Sequence, residues 1–178
     1  MPASFYFDDP DEGLSRTTSH PRFVAVATDD FYYDATDDFS PFGNDDGFDA
    51  LSGLEDWYRD YGARANVPVY LDQLITSWGL GVPAELIHAA VSDIASWLGQ
   101  KEIHLTYLKS ECGARLATAF GQMKIAGKID RTVMKEGSAA IRCMLWLNQR
   151  ARIEFPNWRF ADHEQKRLEA MQMALSAF

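Results

Sequence analysis

Eight aspartates fall within 21 positions of this chain: Asp29, Asp30, Asp34, Asp37, Asp38, Asp45, Asp46 and Asp49. Carboxylates at this density can hold calcium or magnesium through hard oxygen ligands. Laid on a calcium-loop template that begins at Asp38, Gly43 takes the turn position and Asp49 the last ligand position. Phe42, however, stands where an oxygen ligand is required, and Asp49 replaces the usual bidentate Glu. Two other roles compete for the same residues. Some suit helix capping within a solvated acidic face, and some suit a surface that meets a basic partner. Asp34, Asp37, Asp38, Asp45 and Asp46 are the candidates for that partner-binding face. No cofactor is expected; a divalent-metal-dependent enzyme using the Asp34–Asp49 carboxylates is the alternative.

Acid–base catalysis needs two buried, converging groups. His88 has Asp93 five residues on, which is poor alignment on a helix. His104 precedes Leu105 and could face Glu102 or Glu111, while His20 and His163 lie near helix starts. Cys112 stands beside Glu111, but no His has informative spacing to it. Gly-rich phosphate loops, HExxH and GxSxG are all missing. With no reactive constellation, no catalytic residue is assigned.

Arg142, Arg150, Arg152, Arg159, Lys166 and Arg167 are interleaved with Phe155, Trp158 and Phe160. Such a mixture can neutralise a nucleic-acid backbone and stack on its bases. Glu154, Asp162, Glu164 and Glu169 interrupt it, and the chain's formal charge of −9 repels phosphate at long range. Internal pairing with the acidic half is the favoured role of these cations. A nucleic-acid-associated regulator using residues 142–167 is a second alternative.

The charge is sharply segregated. Fifteen of 26 acidic residues lie in the first 62 positions, against Arg16, Arg22 and Arg59, leaving that stretch at −12. A field of this kind bears on encounter with partners more than on fold. The opening residues, Met1-Pro2-Ala3-Ser4, show neither a basic nor an apolar signal region, and no apolar run approaches the ~20 residues of a membrane helix. Cys112 and Cys143 lack metal or disulfide spacing and read as reduced, buried thiols. The expected location is the cytoplasm, without a membrane partner.

The elements that must position these groups are helical. The chain of 178 residues, 47% hydrophobic, suits one domain across 1–178, with 1–18 extended or mobile. Ser19-His20-Pro21 reads as a helix start, with Phe23, Ala27 and Phe31 on one face. Asn44 is an N-cap for a helix presenting Phe48, Leu51, Leu54, Tyr58 and Tyr61, stopped by Gly62. A helix from Asn66 buries Leu71, Leu74, Ile75 and Trp78. Another, from Pro83 to Gly99, carries Ile87, Ala90, Val91, Ile94, Trp97 and Leu98. Leu105, Leu108, Cys112, Leu116, Ala119 and Met123 mark a helix over 103–126. Asp130 caps the next, whose Ala139–Leu147 run is apolar nearly all round and predicts the most buried element. Asp162 and Gln165 have capping-box spacing for a last helix with Leu168, Met171, Leu175 and Phe178. Ile94, Leu116, Ile141 and Leu145 are expected at full burial. The sequence predicts an all-α bundle of six or seven helices with an irregular acidic N-terminal segment.

The stretches SHPRF (19–23), FYYD (31–34), DDFSPFGND (37–45) and LEDWY (54–58) resemble the opening of the YfeS-like proteins, an uncharacterised bacterial family. The resemblance implies a cytoplasmic bacterial accessory protein and supplies no mechanism. Charge segregation without a reactive constellation points to a non-catalytic, acidic protein-binding module, inhibitor-like or immunity-like, whose partner is a basic protein.

Overall fold

The computed structural model describes residues 4–178; the first three positions of the 1–18 segment, and the signal-region reading made on them, lie outside the described residues. Seven α-helices follow in chain order: α1 (Pro21–Val26), α2 (Asp45–Tyr61), α3 (Val67–Trp78), α4 (Val91–Leu98), α5 (Ile103–Ala126), α6 (Arg131–Glu154) and α7 (Ala161–Ala177). Short 3₁₀ turns occupy Asp30–Tyr33, Gly62–Arg64 and Leu86–His88. The described residues contain no β-strand beyond an isolated bridge between Asp9 and Gly13. The all-α expectation holds.

α5 is the axis of the bundle. It packs against α6 and α2 most extensively, and also against α1, α3 and α4. Sixteen of its 24 residues are buried, against eight of 24 in α6, so α5 and not α6 is the central element. The Ala139–Leu147 run faces α5 on one side only: Ile141 is fully buried, while Met144, Leu145 and Trp146 are half-buried. Leu145 therefore departs from the expected full burial. The reason lies in the charges of α5. Glu111, Arg115 and Lys124 look outward-facing in the sequence, yet all three are buried: Glu111 pairs with Arg115 on the same helix, while Glu136 of α6 and Glu55 of α2 reach Arg115 and Lys124. At Gly137 the α5–α6 approach is so close that a Cβ would lie 2.8 Å from that of Ala119.

Several boundaries differ from the sequence reading. His20, rather than Ser19, caps α1, its Nδ1 accepting from Arg22 N. The helix ends at Val26 because the chain bends at Ala27, whose carbonyl accepts the Tyr33 hydroxyl. Phe31 is buried all the same, from its own 3₁₀ turn. The stretch from Pro83 is broken in two by Ala90, extended at ψ 150°, so that α4 starts only at Val91. Asp162 and Gln165 make no capping box: Asp162 pairs with Arg152 at 2.7 Å, and Gln165 accepts from the same guanidinium. Phe48, Tyr61, Val91 and Leu105 are exposed. The Asn44, Asn66 and Asp130 caps form as expected.

Residues 4–20 dock along the C-terminal end of α5. Tyr6 N donates to Ile125 O, His20 N donates to Lys124 O, and the Phe5 ring lies 5.0 Å from Tyr58. Beneath this segment Lys124 is fully buried. Its Nζ lies 2.8 Å from Asp8 Oδ1, 3.1 Å from Thr18 O and 3.4 Å from Glu55 Oε1. Glu55 Oε1 also accepts from Asp8 N, and its Oε2 from Arg59. Gly127 closes α5 in the left-handed region at φ +59°, with the His20 ring where a side chain would sit.

Two substitutions test this arrangement. Ile141→Ala removes a fully buried side chain and is expected to cost about 2–5 kcal/mol through lost transfer energy and a cavity. Lys124→Met strands two carboxylates and should cost about 3–5 kcal/mol. Adding Asp8→Asn and Glu55→Gln should recover much of the second loss. Urea denaturation measures all three; a near-neutral Lys124→Met would mean that Asp8 and Glu55 do not rely on it.

Candidate functional site

The acidic loop and the first turn of α2 do not bring their carboxylates to one point. Asp34 turns back on its own loop, its Oδ1 accepting from Thr36 N and Oγ1. Those hydrogen bonds hold the Asp34 carboxyl below its ordinary value. Asp37 faces inward: its Oδ2 accepts from Arg167 Nε at 3.0 Å and lies 3.7 Å from His163 Nε2. Asp38 and Asp46 line a small pocket of about 220 Å³ with Lys109 and Glu164. Asp45 lies open at the start of α2. Phe42, at a ligand position of the calcium template, is a core residue packed out of reach of solvent. Among the described residues no three His, Cys, Asp or Glu side chains are placed to share an ion.

What the fold does assemble here is a stripe. The outer face of α2 exposes Asp45, Phe48, Asp49, Ser52, Asp56, Asp60 and Tyr61, because Leu51, Leu54 and Tyr58 face the core. Phe48 is 60% exposed. Arg59 is the cation on this face, and it is engaged by Asp56 and Glu55. An aromatic side chain thus stands between open carboxylates.

The basic-aromatic segment at the other end of the chain is dispersed. Arg167 reaches the acidic half through Asp37 and lies over the Phe31 ring at 4.4 Å. Arg152 pairs within its own segment, with Asp162. Arg150 and Arg159 lie against Trp146 and Phe160. Of these cations, among the described residues, Arg167 alone pairs with the acidic half, at Asp37.

A second site has no counterpart in the sequence reading. Between α3, the loop 79–85, α5 and the start of α6 lies a cleft of about 570 Å³. A chain of charges runs along its floor through Glu111, Arg115 and Glu136 and ends at His88, outside the lining. Glu111 Oε2 accepts from Arg115 Nη1 at 2.9 Å; Arg115 Nε donates to Glu136 Oε2 at 2.9 Å; Glu136 Oε1 lies 2.7 Å from His88 Nε2. Glu111 and Arg115 are spaced i, i+4 on α5, so the helix itself sets their pairing. Glu136 comes from α6 and His88 from the 3₁₀ turn, and tertiary packing alone joins them. His88 thus meets Glu136 and not Asp93. His104 is used elsewhere, stacked on Trp97 at 3.8 Å with Nδ1 at its carbonyl.

Burial acts on these carboxyls in opposite senses. It pushes Glu111 up, and the hydrogen bond and charge of Arg115 offset this only in part. It also pushes on Glu136, but there the hydrogen bonds from Arg115 and His88 win and hold the group below its ordinary value. Beneath Arg115, Cys112 and Cys143 are free and buried; the hydrogen bond to Cys143 and burial hold Cys112 as the thiol. The floor is a hydrogen-bonded chain of charged side chains that ends in a His–carboxylate pair.

The sign of the Glu136 shift gives a test. A depressed carboxyl stabilises the fold above its unfolded value, ordinarily 4.5, and loses that contribution as pH falls through its lower folded value. Glu136→Gln should therefore destabilise at pH 7, and the gap to wild type should close below about pH 4. Thermal melts between pH 3 and 7 measure this, and a gap constant with pH would contradict it.

Comparison with known proteins places the chain. It is 36% identical over 150 residues to a protein of Escherichia coli K12 described as uncharacterized protein YfeS, a match covering 77% of this chain and 54% of the relative. The chain thus spans about half the length of the curated relative it matches. No family model matches, and no solved structure does. The alignment is far longer than the 19–58 stretches that carried the resemblance, and the chain belongs to the YfeS-like family.

Proposed function

We propose that this protein is a non-catalytic, acidic binding module that captures a basic protein, in the manner of an inhibitor or immunity protein of the cytoplasm. The observation that carries it is the outer face of α2, where the exposed Phe48 stands among Asp45, Asp49 and Asp56. An apolar contact ringed by charge is the common anatomy of a protein interface, with an anchor at its centre and a polar rim. The −12 of residues 1–62 gives that face a field that draws a cation-rich surface toward it. Asp34 and Asp38, on the adjoining loop, and Asp46, in the first turn of α2, extend the field. Asp37 belongs to the internal pairing with Arg167 and contributes position more than attraction.

The absence of any helix long and apolar enough to cross a membrane, among the described residues, agrees with a partner met in water. Among the described residues, the metal-dependent alternative finds no convergence of carboxylates to support it. The dispersed cations of 142–167 give nucleic acid no continuous track.

The test separates steering from anchoring. Once a partner is isolated from bacterial lysate, its association and dissociation rates are measured for wild type and variants. Asp45→Asn with Asp49→Asn should slow association several-fold at low salt, with the difference fading at high salt as the Debye length shortens. Phe48→Ala should leave association nearly unchanged and speed dissociation at least tenfold. A partner whose rates ignore both changes would show that the α2 face is not its binding surface.

A further inference from the structure

The cleft on the opposite flank of α5 has the makings of a separate binding site. Its volume, about 570 Å³, lies within the range of small-molecule sites. Its walls are apolar, formed by Val69, Ile75, Leu80, Val82 and Val133, and its polar groups gather at the floor and rim. The floor residues are deeply buried, Glu111 at 3% and Arg115 at 5% exposure. Two carboxylates therefore stand at the base of an apolar slot, with Asp72 and Glu85 at its mouth.

Charge decides what such a slot would hold. Four carboxylates line it, those of Asp72, Glu85, Glu111 and Glu136, against the single guanidinium of Arg115. That guanidinium is already engaged by Glu111 and Glu136. Glu111 uses only Oε2; among the described residues its Oε1 makes no hydrogen bond, although the side chain lines the cleft and is more than nine-tenths buried. Glu111 Oε1 is not among the buried unpartnered atoms, so it keeps access to the cleft, and a carboxylate oxygen open to an apolar slot without a protein donor is best met by a charged donor. An anion would face repulsion from all four acids, and a neutral ligand would leave their field uncompensated.

We propose that this cleft binds a small organic cation, an ammonium or amidinium group on an apolar stem, with the head at Glu111 Oε1 and the stem along Val69, Ile75 and Val82. Glu111 is the recognition residue. Arg115 is a positioning residue: it fixes the Glu111 carboxylate from one side and leaves the other oxygen to the ligand. Asp72 and Glu85 draw the cation to the mouth. The site shares no residue with the α2 face, so it stands or falls independently of that reading.

The probes are hexylammonium, hexanoate and 1-hexanol, which share a stem and differ in head group. Each is titrated into the full chain at low salt and followed by amide chemical shifts. Hexylammonium should bind saturably, with its largest shifts at Ile75, Val82 and Glu136, and hexanoate should not bind at the same concentrations. Glu111→Gln should weaken hexylammonium at least tenfold. Because that variant also removes a partner of Arg115, a second one leaves the floor intact: Asp72→Asn with Glu85→Gln, both exposed, should weaken binding several-fold in a fully folded protein. Hexanol binding as tightly as hexylammonium would overturn the proposal. So would unchanged affinity in the rim variant or in folded Glu111→Gln, or shifts confined to α2.

Discussion

The ammonium group of Lys124, sealed inside the protein, is the constraint around which the rest is arranged. An unpaired charge in such a place is prohibitively costly, so the fold must bring carboxylates to it and keep water from competing. It does so with three pieces far apart in the chain. Asp8 arrives from the N-terminal segment, Glu55 from α2, and Thr18 offers its carbonyl. Each of these pieces is then committed. α2 must cross α5 where Glu55 can reach, and the N-terminal segment must lie over the junction. Arg59, held by the other oxygen of Glu55, covers the Phe7 ring at 4.6 Å and completes the lid.

The same logic recurs one side over, with a different outcome. Arg115 is also buried in α5, though less completely than Lys124, and it too is met by two carboxylates. The lysine has all three donors turned toward partners. The arginine sits at the bottom of an open slot, where one of its carboxylate partners keeps a free oxygen. One buried cation is closed off as structure, and the other is left facing space. Both lie on α5, which explains why that helix carries so much charge while occupying the centre.

This also accounts for what could be read from the sequence. Helix existence was legible because caps and apolar spacing are local: Asn44, Asn66 and Asp130 cap as their side chains dictate. The choice of central helix was not. Glu111, Arg115 and Lys124 interrupt the apolar pattern of α5, and periodicity treats such residues as solvent-facing. The burial of Arg115 and Lys124 depends on partners 21 to 116 positions away, which no local window contains. For the same reason the acidic run from Asp29 to Asp49 drew notice as a cluster but is scattered by the loop. The His88–Glu136–Arg115–Glu111 chain, drawn from three elements, left no trace beyond the i, i+4 pair of Glu111 and Arg115. That pair was the one available signal.

The clamp at Lys124 has a consequence for the making of the protein. A chain emerging from the ribosome at about 5–20 residues per second exposes Asp8 roughly 5–25 seconds before Lys124 appears. Throughout that interval Asp8 and Glu55 lack the ammonium group that they share in the finished fold. The segment's carboxylates then act as a temporary solubiliser, keeping Phe5, Tyr6 and Phe7 dispersed in water by like-charge repulsion. Only when α5 is complete does the acidic arm find its counter-charge and lie down. Its acidity thus serves two stages in turn, first holding the nascent chain apart and later holding the finished one together.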